Sequence, residues 1–178
     1  MTVDREHIMI LGIGNLLFTD EGFGIRVISR LLETCEFPEN VSVEDGGVLG
    51  VNLMGIMADA DRLIVIDAIR NRGNPGDIYR LEGSAIPERI RAKNSLHQVD
   101  FLEALTLMQA LEKVPETVIL GVEPQDIETL GTELTPAVER CIAPVMEMVF
   151  AELDRLGVSY RKGVQRNVSC DPLKNCEH

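Results

Sequence analysis

The chain is poor in basic residues, in cysteine and in long apolar runs, and each shortage removes a class of function. Seventeen Lys and Arg stand against 29 Asp and Glu, a formal net charge of −12 over 178 residues. A surface that negative repels phosphate backbones, because nucleic-acid binding is driven largely by Lys and Arg neutralising phosphates. It favours cations and basic partners instead. No stretch reaches the roughly 18 apolar residues of a membrane span, and the opening MTVDREHIMILGIG lacks the apolar core of a signal peptide. A cytoplasmic location without membrane contact is therefore expected. The four cysteines (Cys35, Cys141, Cys170 and Cys176) are too few and too scattered for a disulfide framework. Cys35 and Cys141 fall in helical apolar patterns and read as small core residues. There is no Gly-x-Ser-x-Gly elbow, no His-Glu-x-x-His, and no cysteine set directly beside a histidine. Those absences leave no nucleophile motif and exclude a zincin mechanism.

What is present spells one α/β domain. Apolar residues make up 45% and charged residues 26%, a globular composition of single-domain size. Ile8 to Leu11, Val41 to Val43, Leu63 to Ile66, Asp77 to Leu81 and Thr117 to Val122 read as strands. Between them, helical spacing links Ile25, Ile28, Leu32 and Cys35, and later Leu102, Leu105, Met108 and Leu111 within Val99 to Leu111. A shorter helix is expected near Val51 to Ala58. The last helix has Thr135 as cap, Pro136 in its first turn and Gly157 at its end. Pro144 inside it predicts a kink between Arg140 and Pro144. The expected architecture is a mainly parallel, twisted sheet of about five strands with helices on both faces. Residues 1–159 form the domain, and the polar, aperiodic stretch 160–178 reads as a flexible tail.

Ligands of such sheets bind at the carboxyl ends of the strands. The first strand ends in Gly12-Ile13-Gly14, which invites a dinucleotide-binding reading. Leu17 stands where the third glycine belongs, and Glu21 would put negative charge where a pyrophosphate should sit. Glu21 also suits a first helical turn, where an acidic side chain gains roughly 0.3–1 kcal/mol from the helix dipole. Asp45, before Gly46-Gly47, is compatible with ordinary turn chemistry, and Asp67 sits just past the third strand. His97, one of three histidines, precedes a helix and on its own reads as a cap or surface residue. Taken together, Glu21, Asp67 and His97 fall where a doubly wound sheet can converge them. Two carboxylates and an imidazole form an O,O,N set of formal charge −2, suited to a divalent cation such as zinc or nickel.

The motifs resemble a known family. Gly12-Ile13-Gly14-Asn15-Leu16-Leu17-Phe18-Thr19-Asp20-Glu21-Gly22-Phe23-Gly24 resembles the opening of the nickel–iron (or nickel–iron–selenium) hydrogenase maturation endopeptidases. So do Glu44-Asp45-Gly46-Gly47 with Gly50, Ile64-Val65-Ile66-Asp67-Ala68, Ser95-Leu96-His97-Gln98, Leu120-Gly121-Val122-Glu123-Pro124 and Leu134-Thr135-Pro136-Ala137-Val138. The likeness runs from about Ile8 to Gly157 in consistent order. The resemblance implies that Glu21, Asp67 and His97 bind a metal ion, and that this ion is nickel already inserted in the substrate. It implies an endopeptidase that removes the C-terminal extension of a hydrogenase large-subunit precursor. Asp67 is then catalytic as well as a ligand, and Asp45 matches a family aspartate that can serve as general base in an aspartyl type of hydrolysis. Asp20 is expected to help shape the loop.

Two other functions compete. A metallochaperone would bind nickel without cutting anything. A peptidyl-tRNA hydrolase shares a Gly-x-Gly-Asn opening, but the acidic balance and the Glu21 and Asp67 positions oppose it. The stretch from Tyr160 onward is unmatched. Its Cys170 and Cys176 thiolates with the His178 imidazole can in principle bind nickel or zinc, but the composition favours a disordered tail with incidental cysteines. A monomer is the default expectation.

Overall fold

All six side chains of Ile8–Ile13 (β1) are buried, which an apolar run without polar alternation requires of a central strand. The computed structural model describes residues 6–47, 53–83 and 114–163, together with 86 and 108. After β1 come a 3-10 turn at Thr19–Gly22, α1 at Phe23–Thr34 and a two-residue strand β2 at Cys35–Glu36. Next are β3 at Val41–Gly47, α2 at Leu53–Met57, β4 at Arg62–Ala68, β5 at Ile78–Glu82 and β6 at Glu116–Val122. The chain continues through α3 at Pro136–Glu139 and α4 at Ile142–Arg155 to β7 at Arg161–Lys162. Five strands form one sheet in the order β3-β1-β4-β6-β5, parallel except for β5 at the edge. This is the mainly parallel sheet of about five strands that the alternation predicts.

Helices cover both faces. Ile8, Ile10, Ile64 and Ile66 point toward α1 and α4, while Met9, Leu11, Leu63 and Val65 point toward α2. In α1, Phe23, Ile25, Val27, Ile28 and Leu31 are buried. At about 1.5–3 kcal/mol per large side chain, they contribute on the order of 10 kcal/mol of gross burial energy. Of the helix expected over Val99 to Leu111, Met108 is described, and it is helical and buried on the α2 face. The rest lies outside the described residues.

The last helix breaks where Pro144 predicts. Its ring conflicts with the carbonyl four residues back, that of Arg140, and the chain divides into α3 and α4 across Arg140 and Cys141. Gly157, at φ +69, ends α4 in a Schellman arrangement. The Val158 N–H donates to Leu153 O at 3.0 Å, and the Gly157 N–H to Asp154 O at 3.0 Å.

The start of the stretch read as tail is part of the fold. Tyr160 stacks on Phe150 with ring centroids 4.9 Å apart, and Lys162 Nζ lies 3.8 Å above the Phe150 ring. β7 pairs antiparallel with β2. Two-residue strands carry no period, so pattern reading does not find them. Residues 164–178, with Cys170, Cys176 and His178, lie outside the described residues.

Candidate active site

The carboxyl ends of β3, β1 and β4 lie side by side. Gly12 pairs with Asp45 on one flank and with Ile66 on the other. Two strand spacings therefore separate Asp45 from Ile66, about 10 Å of backbone. Asp67 follows at the next step of β4, buried at 6% exposure, and is in register with Gly121 of β6.

Glycines bring the Glu21 turn to this edge. A Cβ on Gly24 would overlap the carbonyl oxygens of Ile13 and Ile66, so α1 starts pressed onto the exits of β1 and β4. Gly14, at φ +143, packs directly on the carbonyl of Glu21, which also accepts the Asn15 N–H at 3.1 Å. The glycines after β1 thus serve close chain packing, and Glu21 stands half-buried at the strand ends. This leaves the incomplete dinucleotide fingerprint with a structural explanation.

Asp45 is exposed, and its Oδ1 accepts the Gly47 N–H at 2.8 Å, with Gly47 at φ +45. That is the turn chemistry expected of an Asp before Gly-Gly. His97 and its neighbours Ser95, Leu96 and Gln98 lie outside the described residues. Among the described residues, no group of three or more His, Cys, Asp or Glu side chains is placed to hold a metal ion.

Two carboxylates organise this edge in ways the sequence does not disclose. Asp20, fully buried, accepts the N–H groups of Gln125 at 2.8 Å, Asp126 at 2.9 Å and Thr135 at 2.7 Å, and the Thr135 hydroxyl at 2.9 Å. Thr135 occupies the cap position of α3 as expected, yet its hydroxyl donates to Asp20 and does not close the helix end. Glu123, just past β6, is likewise buried. Its Oε2 accepts the Asn71 N–H at 2.6 Å, the Gly73 N–H at 3.1 Å and the Tyr79 hydroxyl at 2.7 Å. Burial, then the bond to Glu123 and its charge, push the Tyr79 phenol up to about 12. Partners 44 to 115 residues away leave no local signal for either role.

The sequence model of the hydrogenase maturation protease family matches residues 25–152. The chain belongs to that family. It is an endopeptidase, a peptide hydrolase of hydrogenase maturation. The hydrogenase 2 maturation protease of Escherichia coli (strain K12) is 38% identical over 155 residues, covering 85% of this chain and 93% of that one. The hydrogenase expression/formation protein HupD of Bradyrhizobium diazoefficiens is 38% identical over 156 residues, covering 86% of this chain and 81% of the relative. Among solved structures, the hydrogenase maturating endopeptidase HybD from E. coli superposes with a TM-score of 0.84 at 35% identity, over 88% of this chain and 97% of that one. The family match spans Asp45, Asp67 and His97 and begins just after Glu21. Among the described residues, no helix of this maturation protease is long and apolar enough to cross a membrane.

Proposed function

We propose that this endopeptidase removes the C-terminal extension of a hydrogenase large-subunit precursor and uses nickel already held by that precursor as its recognition signal. The observation that carries the reading is the position of Asp67. It is a buried carboxylate at the carboxyl end of central strand β4, where the Glu21 turn also packs. A carboxylate in low dielectric attracts a cation more strongly than one in water. With the His97 imidazole from the segment before β6, Glu21 and Asp67 make an O,O,N donor set that fits nickel. The ion belongs to the substrate, and the protease supplies ligands for it that a nickel-free precursor leaves unused. Such differential affinity is what lets a bound ion license the cut.

Asp45, one strand beyond β1, is the candidate general base for a water attacking the scissile carbonyl, in an aspartate-dependent hydrolysis. The chain's charge of −12 favours a basic or metal-bearing partner over nucleic acid. We place the enzyme in the cytoplasm as a monomer.

The test is cleavage of purified large-subunit precursor, with and without nickel, by wild type and Asp67→Asn. Nickel-dependent shortening that falls by at least roughly 10–100-fold in the variant is expected, the usual loss when a metal site is disturbed. Equal cleavage of nickel-free precursor would refute the recognition signal. Undiminished cleavage by Asp67→Asn would refute the ligand set.

A further inference from the structure

We propose that Asp20 is a positioning residue for Glu21: its buried carboxylate fixes the turn that carries Glu21 and thereby sets how tightly the site takes a nickel ion. The inference rests on the reading of Glu21 as a ligand given above.

A four-residue 3-10 turn has little internal hydrogen bonding, so external contacts decide where it sits. Here the contacts converge on one side chain. The Asp20 carboxylate takes four donors from two segments more than 100 residues away, the start of the loop after β6 and the cap of α3. Both oxygens are engaged, which determines the position and the rotation of the carboxylate. The backbone adds to the same lashing. The Asp20 N–H donates to Asp126 O at 3.0 Å, and the Thr19 hydroxyl to Thr129 O at 2.8 Å. Asp20 is fully buried and Glu21, the next residue, half-buried at the strand ends. The two neighbours divide the work: one anchors the turn, and the other is the ligand that this turn carries to the strand ends. Asp20 is not itself a ligand, because its oxygens are occupied and no surface of it is accessible.

A ligand held in place before the ion arrives loses less freedom on binding, so affinity rises without any new contact. Loosening the anchor should therefore weaken nickel binding and leave the chemical step alone.

The experiment titrates the full chain with nickel(II) alone by calorimetry, and measures KM and kcat separately on nickel-loaded precursor. The variants are Glu21→Gln, Asp20→Asn, Thr135→Val and Thr135→Ser, with Arg80→Gln as a control. Arg80 pairs with Glu152, joining β5 to α4, so its loss lowers the melting temperature without touching the turn. Asp20→Asn is expected to raise the nickel Kd roughly tenfold or more, and Thr135→Val about fivefold, as for one lost hydrogen bond. Thr135→Ser, which keeps the hydroxyl, should stay within about twofold of wild type, and so should Arg80→Gln despite its lower melting point. KM should rise with the nickel Kd while kcat holds. Should Asp20→Asn fail to fold, the Thr135 pair carries the test alone. Wild-type nickel affinity in Thr135→Val, or equal weakening in Thr135→Ser and Arg80→Gln, would overturn the positioning role while leaving Glu21 as a ligand. Unchanged binding by Glu21→Gln, or no uptake by wild type, would overturn that reading and this inference with it.

Discussion

Glu123→Gln tests whether the loop beyond Asp67 is held by charge. In the native chain one oxygen, Oε2, receives the N–H groups of Asn71 and Gly73 and the hydroxyl of Tyr79. An ionised acceptor makes each such bond worth about 1.5–3 kcal/mol, against roughly 0.5–1.5 for a neutral one. Glutamine can place its carbonyl where Oε2 sits, so all three bonds survive in weakened form. The loss is then about 1 kcal/mol per bond, or about 3 kcal/mol in all. For a chain of this length that lowers the melting temperature by roughly 6–12 °C.

The same substitution has a second readout. The Tyr79 phenol is held up at about 12 by burial first, then by the bond to Glu123 and by its charge. A phenol raised above its unfolded value of about 10 is stabilised in its protonated form. Its contribution is complete below about pH 10 and is lost as pH rises through about 12. That rise corresponds to about 2.7 kcal/mol, but Tyr79 is partly exposed, so solvent screening leaves on the order of 1 kcal/mol. Glu123→Gln removes the charge, weakens the bond and keeps the burial, so Tyr79 should ionise below 12 yet above 10. The chain has two tyrosines and no tryptophan, so phenolate absorbance during an alkaline titration reports on Tyr79 and Tyr160 alone. Subtracting a Tyr79→Phe titration isolates the first. A Tyr79 midpoint that stays put in Glu123→Gln, or a melting point within about 2 °C of wild type, would refute the reasoning.

Asp45→Asn keeps an oxygen acceptor for the Gly47 N–H but cannot take a proton. If Asp45 is the general base, cleavage falls by about 10²–10⁴ with an unchanged melting curve; retained cleavage would return Asp45 to a turn role. Gly24→Ala should cost at least about 3 kcal/mol, because the new methyl meets the backbone oxygens of Ile13 and Ile66, which cannot yield. Gly55→Ala in α2, where a Cβ meets nothing within 4 Å, is its control and should gain up to about 1 kcal/mol. Thermal melting of the pair decides, and equal stability would remove close packing as the reason for Gly24.

The central strands β1, β4 and β6 are legible because each holds a short apolar run, and the broken last helix because Pro144 acts on its own neighbourhood. Less legible was the direction of β5. Its first three residues are all partly buried, Leu81 is buried and Glu82 exposed, and only pairing with β6 makes it antiparallel. Asp67 is placed by the strand-end rule because it lies at the end of β4, and Glu21 because its turn joins β1 to α1. The sequence suggests loop shaping for Asp20, but nothing in it points to four donors. Asp and Glu in loops carry no mark of burial, and the partners of Asp20 and Glu123 come from segments that sequence proximity does not connect. Thr135 is the instructive intermediate: its position follows from the helix that starts after it, while its bond follows from the tertiary fold.

Among the described residues the buried charged side chains are Asp20, Asp67, Glu123 and Glu152. Glu152 has an arginine: Arg80 bonds it at 2.7 Å and 3.2 Å and holds its carboxyl below the usual carboxylate range. The other three gather at the carboxyl edge of the sheet, where N–H and O–H donors take the place of water around Asp20 and Glu123. Burying a carboxylate costs several kcal/mol unless such donors are in place. The cost is concentrated where short polar loops, lacking apolar side chains to bury, can be fixed by hydrogen bonds. The two locked loops flank β4, and Asp67 closes that strand between them. Loosening either loop should thus disturb the surroundings of Asp67 before it unfolds the sheet, because β1, β4 and β6 stay packed on both faces.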